Sequence, residues 1–106
     1  MTELQLNHQS NVKEILDKIN ELSGQKALEY QREGNPFHNF EAGGRQSGKD
    51  PLEVLNGFKL KHDVSYKDIC NDFMTDKPVN IEQLKEKTVD IIIYHILAYS
   101  LIKENI

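Results

Sequence analysis

The sequence predicts an all-α fold: a small helical bundle of three main helices, with a possible short fourth. Three observations carry this expectation. Apolar residues recur at helical spacing in three separate stretches, a cap signal opens each of them, and no stretch alternates apolar and polar residues as a β-hairpin would. With 106 residues the chain reads as one domain, residues 1–106.

Residues 1–9 read as a polar tail. Asn11 then serves as an expected N-cap, with Glu14 completing a capping box. Val12, Ile15, Leu16, Ile19 and Leu22 form an apolar stripe behind it, which the reading extends through the soft point Ser23-Gly24 to about Glu33. Residues 34–49, GNPFHNFEAGGRQSGK, show no period and hold four of the six glycines, so a long loop is expected there. Asp50 and Pro51 open the next helix as N-cap and first helical residue. Its apolar face holds Leu52, Leu55, Phe58, His62 and Ile69, with an expected break near Val64-Ser65 and a short helix capped by Ser65. Residues 71–79 read as a connector. Asn80 with Gln83 opens the last helix, which reaches about Lys103 and should be the central, most buried one.

Composition narrows the function classes. A net charge of -4 with no basic cluster argues against nucleic acid as a partner. The single cysteine, Cys70, excludes an intramolecular disulfide and a zinc knuckle. The amino-terminal residues lack the pattern of a signal peptide, and the apolar run from Val89 to Ile102 is too short to span a bilayer. The expectation is a cytoplasmic protein with no membrane partner. The last helix is apolar on more faces than two neighbours can cover, which points to a homodimer.

Chemistry is expected where the apolar stripes turn polar. The first stripe continues into Lys26, Glu29 and Glu33, while Glu82, Glu86 and Asp90 share one row of the last helix. Asp90 sits where that row enters the core. Acidic clusters on neighbouring helices of a bundle suit a divalent cation, and oxygen ligands favour Mg²⁺ or Mn²⁺. Structural ion pairs with Lys85, Lys87 or Lys26 are the alternative. His62, beside Lys61 on an apolar face, reads as a structural histidine or a phosphate contact, and His95 as a core or interface residue. Gly43 to Lys49 fits the start of a P-loop, but Asp50 stands where a serine or threonine is required and no strand precedes it.

The set KALEYQ (Lys26 to Gln31), NPFHNF (Asn35 to Phe40), Lys61-His62 with Ser65, and EKxxDxxxYHxL (Glu86 to Leu97) resembles small phage- and prophage-encoded relatives of the MazG-like all-α nucleoside triphosphate pyrophosphohydrolases. The resemblance covers roughly residues 22 to 99. It implies a helical, usually dimeric protein that releases pyrophosphate from a nucleotide with Mg²⁺ (or Mn²⁺). Carried over, Glu29, Glu86 and Asp90 would hold the metal and form the catalytic set. Lys26, Lys61 and His62 would face phosphates, Asn39 and Phe40 would shape the pocket, and Tyr94 would contact substrate. The spacings depart from the family's E-x-x-E and E-x-x-D: here they are Glu29-x-x-x-Glu33 and Glu86-x-x-x-Asp90. That leaves a non-catalytic regulator, binding a nucleotide or a protein, as the other reading.

Overall fold

The described residues of the computed structural model, 1–23, 31, 32 and 34–106, form four helices. They are α1 (Glu3–Glu21), α2 (His38–Ser47), α3 (Pro51–Met74) and α4 (Ile81–Lys103). The described residues contain no strand, only an isolated bridge between Arg32 and Asn35, and none of their helices is long and apolar enough to cross a membrane. The all-α expectation holds.

Helix α1 starts earlier than the periodicity suggests. Thr2 and Gln5 form the capping box, each side chain bonding the other's backbone N–H at 3.1 and 2.8 Å. The segment that reads as a polar tail is therefore helical, although residues 1–14 are all exposed. Of the expected stripe, Ile19 is buried and Ile15 and Leu22 are half-buried, while Val12 and Leu16 stay exposed. The helix ends at Glu21 with a wider turn through Leu22 and Ser23. The expected continuation to Glu33 falls mostly outside the described residues.

The glycine-rich segment is not a long loop but α2. Asn35 turns the chain into it, accepting from Phe37 N–H at 2.9 Å and donating to Glu41 at 3.0 Å. Two of the glycines serve contact rather than turning. A Cβ on Gly43 would lie 3.0 Å from Val54 Cγ1, and one on Gly44 would lie 2.6 Å from the Lys49 carbonyl oxygen. Gly48, at φ 70°, takes the left-handed conformation that closes the helix.

Asp50 caps α3 by accepting from Leu52 N–H at 2.9 Å, with Pro51 following as expected. The expected break at Val64-Ser65 does not occur. Ser65 instead donates to the Lys61 carbonyl at 3.1 Å, so its hydroxyl is absorbed within an unbroken helix. That helix reaches Met74, which shortens the connector. It closes with Asp76 at φ 59°, Lys77 N–H bonding Asp72 C=O at 2.8 Å and Asp76 N–H bonding Phe73 C=O at 3.4 Å, before Pro78 blocks continuation. Asn80 then caps α4, accepting from Gln83 N–H at 3.1 Å.

Helix α4 is the centre of the arrangement, packing on both α3 and α1, while α2 packs on α3. The core joins Phe40 of α2, Leu55 of α3 and Leu101 of α4. Leu55 near Leu101, and His62 near Asp90, set α3 and α4 antiparallel. Gly44→Ala should lower stability by roughly 1–3 kcal/mol, because its Cβ would meet backbone that cannot turn aside. Urea denaturation followed by circular dichroism measures this, and an unchanged midpoint would refute it.

Candidate functional site

A cavity of about 630 Å³ opens between the end of α1, the start of α2, and the facing sides of α3 and α4. That volume falls within the roughly 300–1,000 Å³ range of small-molecule sites. Its walls are mostly apolar, with Phe40, Phe58 and Leu97 prominent. The two phenylalanine rings meet at 5.9 Å between centroids, tilted by 56°, a favourable aromatic arrangement.

The polar groups converge from three helices: Asn39 from α2, His62 from α3, and Asp90 and Tyr94 from α4. Ser23 and Gln31, which flank the undescribed residues 24–30, also line the cavity. Asp90 and Tyr94 are one helical turn apart, so both point to the same wall. His62 stacks against Tyr94 at 5.2 Å between centroids. Its Nδ1 lies 3.4 Å from Asp90 Oδ2, at ion-pair distance, without forming a hydrogen bond to a described residue.

Burial, and secondarily the Asp90 charge, raises the Tyr94 phenol above its ordinary value of 10.0. The phenol therefore stays neutral and keeps a proton to donate inside the cavity. Among the described lining residues Asp90 is the only carboxylate, and none is a lysine or arginine. A phosphate charge placed about 4 Å from an ionised Asp90 would be repelled by roughly 4 kcal/mol at an effective dielectric of 20. No described lining residue carries a fixed positive charge to offset that repulsion.

Nine candidate residues come from the sequence, and five of them line this cavity: Asn39, Phe40, His62, Asp90 and Tyr94. Glu86 and Lys61 are exposed and lie outside the lining. Glu86 sits one turn before Asp90 on α4, and Lys61 is one residue before His62 on α3, turned away from its wall. Lys26 and Glu29 lie outside the described residues, as does Glu33. Of the lysines named for the structural ion-pair alternative, Lys85 bonds Glu14 at 3.1 Å, tying α4 to α1, and Lys26 lies outside the described residues. His95 is exposed, not a core residue, and Cys70 is a half-buried free thiol.

Sequence reasoning misses Phe58 and Gln31 as cavity residues. Phe58 has a usable signal, since it precedes His62 by one helical turn on the same stripe. Gln31 has none.

The donor set bears on whether a metal fits. Among the described residues no group of three or more His, Cys, Asp or Glu side chains could hold an ion. A closed protein cage is therefore not formed by them, whereas Mg²⁺ commonly takes only one or two carboxylates and completes its shell with water and substrate phosphates. Asp90 meets that smaller requirement.

No family model matches the chain, and neither the curated proteins nor the solved structures contain a significant match to it.

Tyr94→Phe should remove one tyrosinate component that titrates above the ordinary value of 10.0. The sign follows from the raised phenol: its stabilising contribution is intact below pH 10 and is lost as pH climbs through the folded-state value. The variant should thus lose less stability than the parent between about pH 10 and 12, as measured by denaturation at each pH. Equal losses would refute the assignment.

Proposed function

We propose that the cavity binds a nucleotide together with a divalent cation, and that the chain acts as a metal-dependent nucleotide pyrophosphohydrolase-like protein on NTP- or dNTP-type substrates. One observation carries the reading: five residues that the amino-acid sequence alone singles out, spread from Asn39 to Tyr94, share the walls of one nucleotide-sized cavity. Homodimeric assembly and a nucleotide partner belong to the same proposal.

The roles follow from position. Phe40 and Phe58 supply apolar faces against which a base can stack. Asn39 and the Tyr94 hydroxyl supply the directional hydrogen bonds that fix orientation. Asp90 is the anchor for Mg²⁺ or Mn²⁺, with Glu29 and Glu86 as further candidate ligands. The cation would offset the phosphate charge and polarise phosphoryl oxygens. His62, beside Asp90, is placed to take or give a proton at Nδ1, or as a cation to face developing negative charge. The apolar walls limit water to the polar side of the cavity.

A second reading is favoured by a specific observation: the described residues form no cluster of three metal donors. Under it the same cavity binds a nucleotide without turning it over.

Incubation with a panel of NTPs and dNTPs plus Mg²⁺ or Mn²⁺ should release pyrophosphate. Asp90→Asn should reduce that release by roughly 100-fold or more, as expected for losing a group that supplies several kcal/mol of charge stabilisation. Release that persists in Asp90→Asn would sink the metal-anchor role. Thermal stabilisation by a nucleotide and Mg²⁺ with no release would favour the non-catalytic reading. Stabilisation independent of metal would contradict the metal-anchored reading and favour the non-catalytic one.

A further inference from the structure

We propose that the cavity is also a site for a small organic ammonium ion with an aromatic body, the ammonium docking on Asp90 and the ring filling the apolar end. The cavity has two unlike ends. Phe40, Phe58 and Leu97 wall one of them, where Phe40 also belongs to the buried core. Asp90 stands at the other, seven residues before Leu97 on α4, which is about 10 Å along a helix. A ring joined to a charged nitrogen by a few carbons fits between them.

Asp90 suits a cation that sheds part of its water. Its side chain is 25% exposed, reachable yet partly desolvated. A carboxylate offers about four lone-pair positions, so the approach of His62 Nδ1 to Oδ2 at 3.4 Å does not exhaust it. Bonds between an ammonium and a carboxylate are charge-assisted, and they strengthen where solvent is thin. Tyr94 lies one helical turn on, with its Cβ about 5–6 Å from that of Asp90. Its ring is an aromatic neighbour for the ammonium, and aromatic faces attract organic cations.

The charge at the ligand's end decides its affinity. A neutral relative of the same shape takes water from the carboxylate without replacing its hydrogen bonds in full. An anionic relative adds repulsion. The expected order is therefore ammonium, then neutral, then anion. The ammonium site stands whether or not the cavity takes a nucleotide. One consequence does rest on the nucleotide reading: both cations use Asp90, so the organic ammonium and the divalent cation exclude each other.

Isothermal titration calorimetry of the intact chain with phenethylamine, phenethyl alcohol and hydrocinnamate checks the order, since the three share a ring and differ in terminal charge. Phenethylamine should bind roughly tenfold or more tighter than the alcohol, the scale of a hydrogen bond to a charged group. Hydrocinnamate should bind weakest. Asp90→Asn should remove the amine's advantage and leave the alcohol's affinity close to its parent value. Equal affinities, a tighter alcohol or acid, or no amine binding at millimolar concentration would each overturn the proposal, as would an amine advantage that survives in Asp90→Asn. Should that variant fail to fold, the order among the three probes on the parent chain decides alone. Turnover separates this proposal from the nucleotide reading. Phenethylamine should raise the Mg²⁺ concentration needed for half-maximal pyrophosphate release, and excess Mg²⁺ should restore the rate. Release indifferent to the amine would refute the shared anchor. No release from any nucleotide would count against the nucleotide reading alone, and the calorimetric order would then decide the ammonium site by itself.

Discussion

One constraint organises this molecule: the last helix is apolar around most of its circumference, and every part of it must find cover. Val89 and Leu101 are buried in the structure, and α3 and α1 pack on two sides. Two helices of ordinary diameter cannot enclose a third. One sector of α4, roofed by α2 and bordered by the end of α1, becomes the cavity.

The cavity's character follows from how little charge it contains. A single described carboxylate, flanked by an imidazole at 3.4 Å and a phenol held neutral, faces walls of phenylalanine and leucine. In such surroundings each polar group counts for more than it would in water, because there is less solvent to screen it.

Much of the fold is legible in the residues. The Asp50-Pro51 and Asn80 starts, the end of the last helix near Lys103, and its central place can all be read there, because caps and apolar periodicity act locally. The departures share a cause. The segment with Gly43 and Gly44 resembles a loop because glycine weakens an isolated helix; the structure shows a helix whose missing Cβ atoms let Val54 and the Lys49 carbonyl approach. The contact with Val54 comes from the next helix and leaves no local trace. Val64-Ser65 resembles a break because serine often caps, yet Ser65 bonds back to Lys61 within a helix held by its packing against α4. Thr2-Gln5 is a capping box that periodicity does not reveal, because no buried stripe follows it closely.

Among the site residues, those on buried stripes converge and those chosen by adjacency do not. His62, Asp90 and Tyr94 share the cavity because helical period fixes which way they face; Lys61 and Glu86 neighbour them in sequence or row but turn outward to solvent. The sequence by itself determined the helical class, two of the helix starts, and the inward bearing of these polar groups, since each depends on bonds and spacing within a few turns. Only the tertiary structure decided that α2 exists, that α3 runs unbroken, and that Asn39, His62 and Asp90 meet across one cavity. Those outcomes rest on contacts between separate helices, where packing outweighs local propensity.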